Sequence, residues 1–347
     1  MLEKHRNKIL LSLLLAIAVY AALLLLSDYN KLIGVLRGFA WEWVPLILAF
    51  TLFNYALRFL KWHYYLLLVG VRGLGWLDSM LIFFSGFSMT VTPGKAGEWL
   101  KSFLVRQRTG TPVAQTAPII LAERMTDGLA MLLLASLGLF LFDSALVRGF
   151  LAAVVVLAVV AVILVQNRSL AARVGRRLAR FKVLRDRVEH LRAFYNSAYE
   201  LLRFKSLALA IGLGFISWSG ECVALAIVLY AVGIPFSPQL VVLSAFAMGF
   251  ATLAGSVLLT PGGLGIAEGS IDGLLLTFGR APWLPAPAMI SQPVAAAATV
   301  LIRFATLWFG VMIGFVCLFL VRRRFGRTAG DSGSPAVEAA AEIGTAR

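Results

Sequence analysis

Two short strings in a sequence of 347 residues combine proline, glycine and an acid within otherwise apolar surroundings. They are Thr92-Pro93-Gly94-Lys95-Ala96-Gly97-Glu98 and Thr260-Pro261-Gly262-Gly263-Leu264-Gly265-Ile266-Ala267-Glu268. Proline ends a helix, and glycine lets the backbone turn and approach a ligand closely. Each break frees amides and carbonyls that lipid cannot satisfy, so each predicts a cavity walled by protein or filled with water. The helix that restarts after the break turns its free N–H groups and positive dipole end toward that cavity, an arrangement suited to a phosphate. Glu98 and Glu268 fall in the first turns of these returning helices. There a carboxylate either caps the helix or serves as a buried acid that pairs with a cation or exchanges protons as the cavity opens and closes.

Partners for these acids stand elsewhere in apolar sequence. Glu123 and Asp127 share a helical face at four-residue spacing, with Arg124 beside them, and Arg303 occupies the corresponding place late in the chain. Arg58 and Glu221 sit similarly within two further apolar runs. Pairing of Glu98 with Arg124 and of Glu268 with Arg303 would neutralise charges that lipid does not tolerate alone. Lys95 has no counterpart in the second string; it either meets a phosphate as a point charge or snorkels to the membrane surface. The predicted binding set is therefore Thr92, Pro93, Gly94, Lys95, Gly97, Glu98, Glu123, Arg124, Asp127, Thr260, Pro261, Gly262, Gly263, Gly265, Glu268 and Arg303. His5, His63 and His190 show no metal-binding spacing and no serine-aspartate constellation, and Cys222 and Cys317 lie singly in apolar runs. No catalytic residue, metal or cofactor is expected, and the chain is not read as an enzyme.

These residues must be positioned by membrane helices. Hydrophobic residues make up 60% of the chain and charged ones 14%, with a mean hydropathy of +0.87, too few charges to cover a water-facing surface. The net charge of +15 lies between apolar runs, so topology explains it better than nucleic-acid binding does. About 20 apolar residues span the hydrocarbon core, and six stretches qualify: Ile9 to Leu26, Trp43 to Leu60, Ile119 to Phe142, Phe150 to Val165, Leu207 to Val232 and Met289 to Val321. The first follows a basic stretch but no small-residue cleavage site, so it is read as a retained helix rather than a signal peptide. Clustered Lys and Arg, including Lys61, Arg72, Lys101, Arg106 and the arginines from Arg168 to Arg192, mark the cytoplasmic side and place both termini there. That orientation makes Ser79 to Leu104 a re-entrant hairpin broken at Pro93-Gly94. The same parity makes Leu240 to Phe278 a second hairpin, entering from the opposite face, although its first arm is long enough to span.

The expected fold is an all-α polytopic membrane protein of six spanning helices and two re-entrant helical hairpins, arranged as an inverted repeat. A single membrane domain covers 1–327, with a first half at 1–166, a cytoplasmic basic linker at 167–205 and a second half at 206–327. Within the linker, Phe181, Leu184, Val188, Leu191, Tyr195, Ala198 and Leu202 recur at amphipathic spacing, either on the cytoplasmic interface or as a solvated connector. Residues 328–347 read as a disordered tail. Trp41, Trp43, Trp62 and Trp76 suit an interfacial belt.

With Glu98-Trp99-Leu100-Lys101 following the first string, Glu123-Arg124-Met125-Thr126-Asp127 next, and then Thr260 to Glu268, the chain resembles the lysylphosphatidylglycerol synthase transmembrane-domain family. The likeness runs from about Lys8 to Arg323. It implies a membrane domain that moves lipids between leaflets, in pathways of aminoacylated phospholipids, hopanoids or polyprenyl-linked sugars. The full synthases also carry a soluble aminoacyl-transferase domain, where this sequence has only a short tail, so aminoacyl transfer is not expected. The leading expectation is a flippase-like translocase in the cell's inner membrane, its partner a phospholipid, hopanoid or polyprenyl-phosphate lipid. Anionic headgroups would also meet the basic central loop. The alternatives are a secondary transporter of a small anion, and a non-catalytic membrane subunit that binds a lipid-modifying enzyme.

Overall fold

The computed structural model describes residues 21, 29–92, 96–140, 145–166, 188–258, 260–279, 284 and 290–331. Among these residues the regular elements are all helical, in the order α1 (Tyr29–Arg37), α2 (Val44–Leu68), α3 (Trp76–Ser85), α4 (Ala96–Thr109), α5 (Val113–Ser136), α6 (Ala145–Gln166), α7 (Val188–Leu201), α8 (Phe204–Ala231), α9 (Pro238–Val257), α10 (Ile266–Phe278), α11 (Gln292–Arg303) and α12 (Phe309–Asp331). A 3₁₀ turn, Gly86–Met89, extends α3, and a π turn, Phe304–Trp308, joins α11 to α12. Among the described residues four helical stretches are long and apolar enough to cross a membrane: Trp41–Leu68, Phe204–Ala231, Pro238–Ser256 and Gln292–Phe325. The chain is thus a polytopic helical membrane protein.

The predicted spans at 43–60, 119–142, 150–165, 207–232 and 289–321 fall on α2, α5, α6, α8 and α11–α12, while the stretch 9–26 lies outside the described residues apart from Ala21. The helix α12 runs on to Asp331, past the expected end of the membrane domain at 327.

Apolar residues on every side make α8 a buried helix rather than an amphipathic one. It packs on α2, α5, α9 and α11, and the main core joins Leu225, Val228 and Leu229 to Met131, Phe246 and Ile302. Its contact with α2 is antiparallel. The Ala40 amide donates to the Ala231 carbonyl at one end, and Tyr64 meets Ser206 at the other. Where α9 crosses α5, a Cβ on Gly249 would stand 2.8 Å from the Met131 carbonyl, so only glycine permits that approach. At the bundle's periphery, α6 presents Val156, Leu157 and Ile163 outward, which suits lipid. The linker helix α7 packs firmly on α5, burying Ala198 and Leu201, while Phe181, Leu184 and the arginines from Arg168 to Arg187 lie outside the described residues.

The segment from α3 to α4 leaves and returns at one end of the bundle. Arg108, near the end of α4, places Nε 2.9 Å from Asp78 Oδ2 in the first turn of α3, and Arg324 of α12 meets the same carboxylate. At that end too, Gln115 at the start of α5 donates to the Val69 carbonyl after α2. The arms are short: α4 would extend ~21 Å and α10 ~20 Å at 1.5 Å per residue. In the second segment α10 packs back along α9, with Phe278 edge-on to Phe246 at 5.4 Å.

Three expectations are corrected. Lys61 is not a loop cation but lies within α2, 1% exposed, because Asp127 on α5 receives its ammonium. Lys101 is likewise buried, 2.7 Å from Glu123 and 4.3 Å above the Trp62 ring. Trp62, read as an interfacial residue, is fully buried between those elements, whereas Trp41 and Trp76 are exposed as a belt requires.

Candidate functional site

A cavity of about 200 Å³ lies where the two broken segments meet. Its walls come from α2, the end of α3, α4, α5, α8, α9, the 260–263 turn, α10, α11 and the start of α12. Arg58 stands 14 residues into α2 and Glu221 17 residues into α8, so both lie more than ~20 Å along their helices from the starts. The site is therefore at mid-height in the bundle.

The two broken segments present their acids in the same way. Glu98 is the third residue of α4 and Glu268 the third residue of α10. Arg124 is the twelfth residue of α5 and Arg303 the twelfth of α11. The matching positions produce matching ion pairs: Arg124 Nη2 lies 2.8 Å from Glu98 Oε1, and Arg303 Nε lies 2.6 Å from Glu268 Oε1. Glu268 also accepts the Gly265 amide at 2.7 Å, which satisfies an orphan N–H of α10. Arg303 donates through Nη2 to the Gly262 carbonyl at 2.6 Å and so ties down the break itself. Gly262, Gly263 and Gly265 all have positive φ, a backbone that side chains with a Cβ rarely adopt. The two segments touch: Val91, just before the first break, packs with Leu264, Leu307 and Val311, and a Cβ on Gly262 would stand 3.2 Å from Val91.

Of the predicted residues, Glu98, Arg124, Thr260, Gly262, Gly263 and Arg303 line the cavity. Glu268, Glu123 and Asp127 stand behind it. Glu268 holds Arg303, Glu123 holds Lys101, and Asp127 holds Lys61. Thr92 donates to the Met89 carbonyl and closes a turn, while Pro261 and Gly265 shape the second break and are not in the wall. Gly97 lies in the first turn of α4, and Pro93, Gly94 and Lys95 lie outside the described residues.

Several wall residues were absent from the predicted set. Arg58 is held between aromatic rings, its guanidinium carbon 5.0 Å from the Trp218 centroid and 5.7 Å from that of Phe87. Tyr55 donates to the Thr306 carbonyl in the π turn. Such a turn shifts the helical register by one residue and often marks a functional site. Thr90, Lys101, Glu221, Thr252 and Ser256 add to the polar lining. The signal for Arg58 and Glu221 was present in the sequence as charges at mid-run; that for Tyr55 and Ser256 was not.

Among the described residues around the cavity, five cations (Arg58, Lys61, Lys101, Arg124, Arg303) stand against five carboxylates (Glu98, Glu123, Asp127, Glu221, Glu268). Four of each form direct pairs. The cluster balances as a whole, as charges removed from water must. Among the described residues the Thr260 hydroxyl and the Arg124 Nε, both of residues in the wall, have no hydrogen-bond partner.

Apolar helices wrapped around a balanced, charge-lined cavity at mid-height define a multi-pass membrane protein with an internal polar site. The chain belongs to the lysylphosphatidylglycerol synthase TM region family, whose pattern it matches over residues 10–314. It is also similar to a UPF0104 membrane protein of Methanothermobacter thermautotrophicus, with 26% identity over 328 residues that cover 88% of this chain and 92% of that protein.

Proposed function

We propose that the protein is a flippase-like lipid translocase of the cell's inner membrane, which passes a polar or anionic headgroup between leaflets while the acyl chains stay in the bilayer. The observation that carries this reading is the cavity where the two broken segments touch. It holds ionised side chains at mid-membrane depth, where they are costly unless a polar cargo must pass. Family membership supports it. In this reading α3–α4 and α9–α10 are re-entrant hairpins from opposite faces, and the two halves are inverted repeats with six spans and both termini in the cytoplasm. Rocking of one half against the other then exposes the cavity to each side in turn. The Asp78–Arg108 contact and the matched Glu98–Arg124 and Glu268–Arg303 pairs favour this arrangement. The chain acts as a carrier and not as an enzyme.

Reconstitution into vesicles carrying headgroup-labelled phospholipid in one leaflet tests the proposal. Protein-dependent exchange between leaflets is expected, reduced at least tenfold by Arg303→Gln. Uptake of a soluble anion without lipid exchange would replace the reading with that of a small-anion transporter.

A further inference from the structure

Four of the five cations described around the cavity have a carboxylate in direct contact, which leaves Arg58 and Glu221 as the remaining pair on facing helices α2 and α8. Arg58 reaches Asp127 only at 3.9 Å, and Asp127 is already bonded to Lys61. Among the described residues Arg58 donates no hydrogen bond, and Glu221 has no hydrogen bond and no ion pair, yet both line the cavity. Two aromatic rings hold the Arg58 guanidinium in place with its donors free, which is a preorganised anion seat.

Among the described residues Glu221 faces Arg58 and Tyr55 from α2, Asp127 from α5 and Arg303 from α11, and it shares the cavity wall with Arg124 of α5 and with Glu98 and Lys101 of α4. The helix α9 contributes Met248, Ala251 and Thr252 to the wall and contains no ionisable residue at all. Cys222 adjoins on α8 itself, and α7 precedes the start of α8, about five turns away. When ionised, Glu221 therefore supplies the fifth negative charge of the described cluster with no hydrogen bond or ion pair among the described residues to fix it. If an anion enters beside Arg58 while Glu221 stays ionised, the cluster carries an excess negative charge in a low-dielectric site. If Glu221 takes a proton as the anion enters, the balance is kept.

We propose that Arg58 and Glu221 form an exchange site in which a singly charged phosphodiester docks on Arg58 and Glu221 takes up one proton from water. The O–H bond forms on the carboxylate as the anion replaces its charge, so the site is neutral before and after. A diester fits because its single charge matches one proton, and its two free oxygens suit the guanidinium fork. The unpartnered Arg124 Nε and Thr260 hydroxyl offer further donors in the same wall. The inference rests on the translocase reading for the source of the anion, a lipid headgroup, but its chemistry is shared by a soluble diester.

Isothermal titration calorimetry on the purified full chain in detergent tests it, with dihexanoyl phosphatidylglycerol and glycerophosphoglycerol as probes. Runs in buffers of different ionisation enthalpy, between pH 8 and pH 5, count the protons taken up. Both probes stay singly charged over that range. At the alkaline end the wild type should take up one proton per diester, with affinity rising up to tenfold per pH unit as pH falls and levelling off once Glu221 is protonated before binding, because one pKa unit corresponds to a tenfold shift in the competing equilibrium. Glu221→Gln should bind without proton uptake and without pH dependence, at least as tightly as the wild type at low pH, which also shows that the variant is folded. Arg58→Gln should bind at least tenfold more weakly throughout. Proton uptake that persists in Glu221→Gln, or is lost in Glu98→Gln instead, overturns the proposal, as does a failure of both probes to bind. Binding of the lipid alone assigns a lipid headgroup. Equal binding of both probes supports the site while counting against the translocase, and leaflet exchange with pH-independent binding overturns the exchange site alone.

Discussion

Neutralising Glu268 should destabilise the protein far more than neutralising Glu98, although the two carboxylates occupy the same position in their helices. Glu268 is fully buried and receives two short hydrogen bonds, from Arg303 Nε at 2.6 Å and the Gly265 amide at 2.7 Å. Glu268→Gln removes the counter-charge of Arg303, which is 12% exposed, and breaking a buried pair in this way costs about 3–5 kcal/mol. Arg303 stays near Glu221, so a value at the lower end, about 3 kcal/mol, is expected. Arg303→Gln strands Glu268 with no exposure and should cost at least as much. The double variant leaves no stranded charge, so its cost should fall short of the sum of the single costs by about 2 kcal/mol. In the first segment the side chains of Glu98 and Arg124 are 17% and 34% exposed, and solvent screening reduces the corresponding coupling to about 1 kcal/mol or less. Equilibrium unfolding in mixed micelles measures all of this. Maleimide labelling of the buried Cys222 reports the unfolded fraction, with Cys317 replaced by alanine. Equal costs for Glu98→Gln and Glu268→Gln, or additive costs at Glu268 and Arg303, would refute the reasoning.

Glycine substitutions should split by what a new methyl meets. Gly314→Ala puts a Cβ 2.2 Å from the Ser88 amide nitrogen and should cost about 1–3 kcal/mol despite alanine's better helix propensity, whereas Gly128→Ala meets nothing within 4 Å and should gain up to about 1 kcal/mol in the same unfolding assay. Asp78→Asn removes the acceptor shared by Arg108 and Arg324, so amide exchange at the ends of α4 and α12 should quicken, with a global loss of about 1–3 kcal/mol. Cysteines at Arg106 and Phe236 should react with an impermeant maleimide from opposite faces of sealed vesicles; reaction of both from one face would contradict the proposed topology.

The apolar runs at α2, α8 and α11–α12 were legible because a span needs a long stretch with few charges, and the two breaks because proline and glycine interrupt such a stretch conspicuously. The pairs at Glu98 and Glu268 were legible too, since each acid closes a proline-glycine string and so falls in the first turn of the helix that follows it. Lys61 and Lys101 were misassigned for a definite reason. A lysine that ends an apolar run looks like a loop boundary, and nothing nearby in sequence reveals that Asp127 or Glu123, from a helix packed alongside, will take its charge. Trp62 failed in the same way, as part of the wall around Lys101. The first arm of the second segment, α9, is long enough to cross, as its sequence already indicated. The π turn at Phe304–Trp308 has no proline or glycine to announce it. It is held by Tyr55 from a helix about 250 residues earlier, a contact on which local sequence is silent.

The crowding of Glu123, Arg124 and Asp127 within two turns of α5 bears on how the chain is made. Their counterions belong to other helices: Lys101 and Glu98 on α4, Lys61 on α2. Each charge at the centre of a nascent segment opposes its release into lipid by about 2.5–3.5 kcal/mol, so α5 alone would face a barrier on the order of 8 kcal/mol. Release becomes favourable only when α2 and α4 are already at hand to receive those charges. In the proposed topology α5 is thus expected to enter the bilayer together with α2 and α4 rather than alone, so that insertion is a collective act of three segments.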